Sequence, residues 1–508
     1  MVTKIIFLVI FFAIMIGVGV YSRKHATNVN DFVLGGRSVG PWLTAFAYGT
    51  SYFSAVVFVG YAGQFGYKYG LSATWIGIGN AIIGSLLAWV ILGRRTRVMS
   101  KQLSAATMPD YFGKRYDSNA LRIAASAISF IFLIPYTASV YNGLSRLFGM
   151  AFDIPYVVCV MAMAALTGVY VILGGYMATA INDFIQGIIM LFGIVAVIAA
   201  VLNGQGGFYE AVFKLSEIES DIAVTMGQKG AFTSFFGPDL PNLIGVVVLT
   251  SLGTWGLPQM VHKFYAIKDE KSIKTGTIIS TVFAIIISGG CYFLGGFGRL
   301  FDTEAIYDAN GKIIYDAIVP SMLSTLPDIL IGIVIVLVLS ASMSTLSSLV
   351  LTSSSTLTLD LIKGNIVKNM DEKKQLLCMR IFLVVFIVVS VVIALDPPTF
   401  IAQLMGISWG ALAGAFLAPF MYGLYWKGVT KAAVWASFAC GVGITVANMI
   451  WSFIASPINA GAIAMVAGLI VVPIVSLITP KMDKKKVDEI FECLDEKVVV
   501  SKKQSIEE

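Results

Sequence analysis

Apolar runs of membrane length recur about thirteen times along this chain, and no water-soluble fold can hide that many. They fall at roughly 5–22, 42–62, 72–93, 120–145, 155–173, 184–202, 239–261, 276–298, 329–359, 379–395, 399–425, 432–453 and 459–479. Charged residues make up 13% of the 508, against roughly 25% for an ordinary soluble domain, so lipid has to be the solvent for most of the surface. The expected fold class is an all-α integral membrane protein. The run at 5–22 lacks an A-x-A-like cleavage site before Arg23 and is read as a retained first span. The five cysteines are scattered and four stand in or near apolar segments, a pattern of packing residues and not of a disulfide framework.

The basic residues orient the spans. An odd count puts the termini on opposite sides. With the N-terminus outside, the loops at 23–41, 94–119, 262–275, 360–378 and 426–431 and the tail 481–508 face the cytoplasm. Those regions and their flanks hold roughly 28 of the 35 Lys and Arg residues. Arg94, Arg95, Arg97 and Lys101 then serve as a positive-inside anchor, not as a nucleic-acid site. The tail from Lys481 is rich in charge and poor in apolar residues, as a solvated and partly disordered segment is.

Two spans are interrupted. The second carries Tyr48-Gly49-Thr50-Ser51-Tyr52-Phe53-Ser54 at mid-depth, and the seventh carries Gly253-Thr254-Trp255-Gly256-Leu257-Pro258. Freed backbone groups in hydrocarbon survive only where they line a cavity or meet a ligand. The breaks lie five spans apart, the pattern of two five-helix repeats whose first helices are both broken, here 42–202 and 239–425. One extra helix at 5–22 and two at 432–479 complete a transmembrane domain over 1–480, with 481–508 as a cytoplasmic tail.

The ninth span ends in the run Ser340 to Thr358, SASMSTLSSLVLTSSSTLT. Ala341, Ser344, Thr345 and Ser348 are spaced i, i+3, i+4, i+7 and share one helical face, with Ser347 flanking it. Hydroxyls and free carbonyls can replace the water shell of a small hard cation; they also pack between membrane helices by bonding their own i−4 carbonyls. Asp183 is the carboxylate that matters among the spans, expected at the cytoplasmic start of the sixth, either as a helix-terminus carboxylate in reach of water or as a cation ligand or gate. Ser344 is placed to serve two neighbouring cation sites, with Asp183 neutralising one. His25 and His262 read as surface residues of cytoplasmic loops, and the chain carries no nucleotide, zinc-protease or serine-hydrolase motif, so no enzyme is expected.

At these residues the chain resembles the sodium:solute symporter family over about residues 5 to 480. The resemblance is carried by Asp31-Phe32-Val33-Leu34-Gly35-Gly36-Arg37-Ser38-Val39-Gly40, by Asn182-Asp183 with Gln186-Gly187, and by Ser342-Met343-Ser344-Thr345-Leu346-Ser347. It implies a leucine-transporter-like inverted repeat with one extra N-terminal and two extra C-terminal helices, and sodium-driven solute uptake by alternating access across the plasma membrane. It implies a first sodium site from the carbonyls of Thr50, Phe53 and Ala341 with the hydroxyls of Ser344 and Thr345. A second sodium site of some members resembles Asp183 with Ser344, Ser347 and Ser348. The proline-transporting members have an aspartate where Tyr52 stands and a tyrosine where Thr254 stands. Tyr67-Lys68-Tyr69-Gly70-Leu71, Gly256-Leu257-Pro258 and Pro397-Pro398 resemble the pantothenate and monocarboxylate branch instead. The expected partner is therefore a small organic, carboxylate-bearing solute, with proline, another amino acid or sialic acid as the alternative. Thr50, Ser51, Ser54, Tyr136, Thr254, Trp255 and Gln403 are expected to line its site. A transporter-like sensor and a passive channel are the competing classes: about 28 residues after Pro480 are too few for a signalling domain, and no ring of filter residues is evident. The oligomeric state is left open.

Overall fold

The structure, a computed structural model, describes residues 2–22, 28–152, 154–363, 365–367, 369–396 and 399–495. His25 and Pro397-Pro398 lie outside the described residues. Their regular secondary structure is helical, with three isolated bridges and no strand among the described residues. Among the described residues, ten helices are long and apolar enough to cross a membrane, eleven when the bent pair Leu240–Gly256 and Pro258–Ala266 counts as one span. Two of the helices are too long for one crossing. Val56–Gln102 has 47 residues and Tyr156–Gly204 has 49, each about 70 Å against a hydrocarbon core of about 30 Å. The first turns at Gly70 (φ 62°) and the second at Gly175 (φ 55°), conformations that only glycine adopts cheaply. Counting each turn as a loop, and each broken helix as one crossing, recovers thirteen.

The turn at Gly175 corrects the sixth span. It was expected to begin at 184, with Asp183 at the membrane edge. The helix instead runs back to Tyr176, so Asp183 lies two turns inside it and is fully buried. The polar run Thr179 to Gln186 obscured this because its side chains face protein, not lipid. His262, expected as a surface residue, is also buried. The tail differs as well. Lys484–Glu492 forms a helix with Val487 and Phe491 buried; the Arg115 guanidinium lies 5.0 Å from the Phe491 ring centroid, and Lys427 pairs with Asp488 at 2.5 Å.

Burial separates centre from rim. The most apolar window of Asp328–Ile362 is 78% buried and that of Ile401–Tyr425 is 89% buried, whereas Lys4–Ser22 is 22% buried. The helix bearing the hydroxyls is thus central and the first helix is peripheral. Close crossings rest on small residues, which let backbones meet in the absence of a hydrophobic drive. A Cβ on Gly66 would lie 2.0 Å from the Gly295 carbonyl oxygen, and one on Gly295 would lie 2.1 Å from that of Ala62. Since the obstacle is backbone, it cannot swing aside. Gly66→Val should therefore cost at least about 1–3 kcal/mol, read as a lower melting temperature in detergent; unchanged melting would contradict this packing.

Candidate functional site

The site is built at the break in the first broken helix. Pro41–Tyr52 starts on a proline whose missing N–H costs nothing there and ends where Phe53 turns extended (φ −104°, ψ 94°). Ser54 restarts the helix: its hydroxyl accepts from the Val56 N–H at 3.1 Å, and its carbonyl accepts from Val57 and Phe58. The break leaves the last carbonyls of Pro41–Tyr52 without ladder partners, at the negative end of a half-helix. The hydroxyl helix, Asp328–Thr356, meets them. Ser344 Oγ lies 2.8 Å and Thr345 Oγ1 3.2 Å from the Thr50 carbonyl oxygen, and Thr345 Oγ1 lies 3.4 Å from that of Ser51, each hydroxyl having one hydrogen to place among these acceptors. Both hydroxyls also lie 3.1 Å from the Ala341 carbonyl. Each hydroxyl can turn its hydrogen back to Ala341 and present a lone pair to the break. The carbonyls of Thr50 and Ala341 and the hydroxyls of Ser344 and Thr345 thus converge as a neutral, fully buried oxygen set. Phe53 and Ala341 border one small cavity of about 10 Å³ beside it.

The neighbouring set contains a residue that the sequence reading left in a loop. Lys263 Nζ lies 3.6 Å from Asp183 Oδ2 and donates to Ser348 Oγ at 2.9 Å. Ser348 in turn bonds Ser51 at 2.8 Å, and the ammonium sits 5.3 Å from the Tyr176 ring centroid. Ser347 donates to the Ser344 carbonyl at 2.9 Å. Lys263 falls in 262–275, a stretch whose composition predicts a basic cytoplasmic loop. The overlooked signal is Pro258, a good first residue for a resumed helix. Pro258–Ala266 follows a 46° bend at the extended Leu257 and carries Lys263 back into the protein.

The expected solute residues divide. Thr50 donates its hydroxyl to the Phe46 carbonyl, Ser51 to or from Ser348, and Ser54 caps the restarted helix, so all three shape the break itself. Tyr136 is buried with its ring edge on Trp409 at 5.8 Å, and Trp409 stacks on Tyr52 at 5.8 Å. Trp409 belongs to this group and gave no sequence signal beyond being aromatic. Thr254 donates to the Gly84 carbonyl at 3.1 Å and Trp255 to that of Ile83 at 2.9 Å, tying the second broken helix to the helix after Gly70. The Tyr52 hydroxyl donates to the Thr250 carbonyl and joins the two broken helices directly. Gln403 accepts from Thr399 near the start of Ile401–Tyr425, apart from the hydroxyl set in these contacts.

The end of the bundle that carries most of the basic loops is bolted shut. Gly35, Gly36 and Arg37 take successive positive φ values of 56°, 64° and 56°. That turn aims Arg37 at Ser100 Oγ (3.0 Å) and at the carbonyls of Ala105 (2.5 Å) and Tyr265 (3.3 Å). Beside it, Val39 N–H donates to the Ala266 carbonyl and Lys268 N–H to that of Val39, both at 3.1 Å.

The model of the sodium:solute symporter family matches residues 32–441. The chain belongs to that family. A sodium/proline symporter of Staphylococcus aureus is 30% identical over 503 residues, with 94% of this chain and 93% of the relative covered. The fold is that of leucine-transporter-like proteins. A solved Na+-coupled sialic acid symporter, substrate-bound and outward-open, superposes with a TM-score of 0.74 at 18% identity, over 95% of this chain and 99% of that one. A nucleobase-cation-symport-1 family transporter in a closed conformation, with bromovinylhydantoin bound, gives 0.53 at 12% identity over 91% and 98%. As a member of the family, the protein is a symporter with sodium as its coupling ion.

The Arg37 bolt yields a prediction. In a background lacking the five native cysteines, the thiol of Ser100→Cys should react slowly with a maleimide. Adding Arg37→Ala should speed labelling by roughly tenfold or more, the low end of what losing a charge-assisted hydrogen bond costs. Equal rates would show that Arg37 holds nothing closed.

Proposed function

We propose that the protein imports a small carboxylate-bearing organic solute with sodium, by alternating access, across the plasma membrane. The observation that carries this reading is the convergence of Ser344 and Thr345 on the Thr50 carbonyl at the broken helix. Sodium takes the carbonyls of Thr50, Phe53 and Ala341 and the hydroxyls of Ser344 and Thr345. The set is neutral, suits a hard monovalent ion and adds no buried countercharge. Bound there, the ion ties the hydroxyl helix to the first broken helix and holds the solute region next to the break in one arrangement. The opposite half-helix, restarting at Ser54, turns its N–H end toward that region and offers donors for a carboxylate. The two repeats are 42–202 and 239–425, with 5–22 and 432–479 outside them. The N-terminus is outside and the tail cytoplasmic, in keeping with the basic loops.

Pantothenate or a monocarboxylate is the first reading of the solute. It is supported by Tyr52, whose hydroxyl is engaged with Thr250 and supplies no charge for an amine, and by Thr254. Proline is the second reading, supported by the 30% identical sodium/proline symporters. Uptake of labelled pantothenate, short monocarboxylates, proline and sialic acid into proteoliposomes decides, with inward sodium and inward potassium gradients compared. One solute should accumulate with sodium alone, and Thr345→Ala should raise the half-saturating sodium concentration roughly tenfold or more by removing one oxygen ligand. Accumulation indifferent to the sodium gradient would refute the coupling.

A further inference from the structure

We propose that the ammonium of Lys263 is a tethered cation standing in the place of a second sodium, so that the protein binds one free sodium per cycle. This rests on the reading above, in which the first sodium lies on the hydroxyl helix. Four side chains were expected to form the second site: Asp183, Ser344, Ser347 and Ser348. The ammonium takes two of them, lying 3.6 Å from the Asp183 carboxylate and donating to Ser348 at 2.9 Å. The other two are turned elsewhere. Ser347 donates to the Ser344 carbonyl, and Ser344 has its one hydrogen within reach of the Thr50 or the Ala341 carbonyl in the first set. Charge balance gives the same answer. Asp183 is 0% exposed and Lys263 2% exposed, and each neutralises the other. A sodium added there would leave a net positive charge out of water, which protein interiors tolerate poorly. The face of the Tyr176 ring, 5.3 Å from the ammonium, completes a cation's surroundings.

The tether changes what this cation can do. A free sodium would leave through the cytoplasmic end when it opens. Lys263 is fixed to the short resumed half-helix Pro258–Ala266, whose Tyr265 carbonyl also accepts from Arg37. Through Ser348 and Ser51 it holds that half-helix to the hydroxyl helix and to the first broken helix at once. It therefore supplies the contact of a second ion without drawing on the sodium gradient.

Equilibrium binding of radioactive sodium to the purified full-length protein in detergent, at pH 8.5 and without solute, tests the assignment. Wild type should hold one sodium per chain, and Thr345→Ala should weaken it tenfold or more and leave none at the same concentration. Lys263→Ala should hold two, returning to one in Lys263→Ala with Asp183→Asn. Two sodium ions in wild type, with one surviving Thr345→Ala, would overturn the proposal without any change at Lys263. So would a folded Lys263→Ala that still holds one. Wild type that binds none would overturn the hydroxyl-helix reading and this proposal together, a result distinct from two.

Discussion

Everything at the centre of this protein follows from carbonyls that leave a helix ladder inside the bilayer. Lipid offers them no donor, and each unmet group there costs several kcal/mol or so. The break after Tyr52 is held by Ser344 and Thr345, whose hydroxyls reach Thr50 and Ser51 from a helix three hundred residues away in sequence. The same oxygen atoms that make the break tolerable are the ones that, in the proposed function, hold the sodium ion. A hydroxyl that donates to Thr50 in one state can donate to Ala341 in another, so exchange between a hydrogen-bonded and an ion-bound arrangement needs only a rotation about one bond.

Around that centre the structure distributes its connections unequally. The two broken helices are joined by Tyr52 to Thr250, and both reach the helix after Gly70, where Tyr48 and Thr254 share the Gly84 carbonyl. These are neutral bonds among the two broken helices and the helix after Gly70. The end with the basic loops is closed by a charged residue, Arg37, and by short backbone pairing at Val39. An ion that orders the centre can bias this end because Pro258–Ala266 belongs to both: Lys263 faces the centre and Tyr265 faces Arg37. With a single free sodium, symport of a monoanion moves no net charge, and the membrane potential of about 2.3 kcal/mol per charge per 100 mV drops out. A zwitterion would instead carry one positive charge inward.

Much of this was legible because membrane physics is severe. Apolar length located the spans, and Gly256 and Pro258 bracket the second break, whereas the first falls at Phe53, one turn past the still helical Gly49. The i, i+3, i+4, i+7 spacing of Ala341, Ser344, Thr345 and Ser348 placed Ser344 and Thr345 on the face that the structure turns to Thr50. What hydropathy could not see was any polar segment buried against protein. Asp183 and Lys263 look like membrane-edge residues by composition, and only the turn at Gly175 and the resumed helix at Pro258 carry them inside. The aromatic group of Tyr52, Trp409 and Tyr136 draws on three distant elements and left no spacing to read. The tail differs for a similar reason: Val487 and Phe491 are too few to announce a docked helix, which the structure shows by the Arg115 guanidinium over the Phe491 ring.

The central claim is that sodium orders the broken helix through the hydroxyl helix. Backbone hydrogen exchange across Phe53 to Phe58, followed in sodium and in potassium, measures it most directly. The account predicts slower exchange at these amides in sodium for wild type and no difference for Thr345→Ala. Exchange that is the same in both salts for wild type would contradict it.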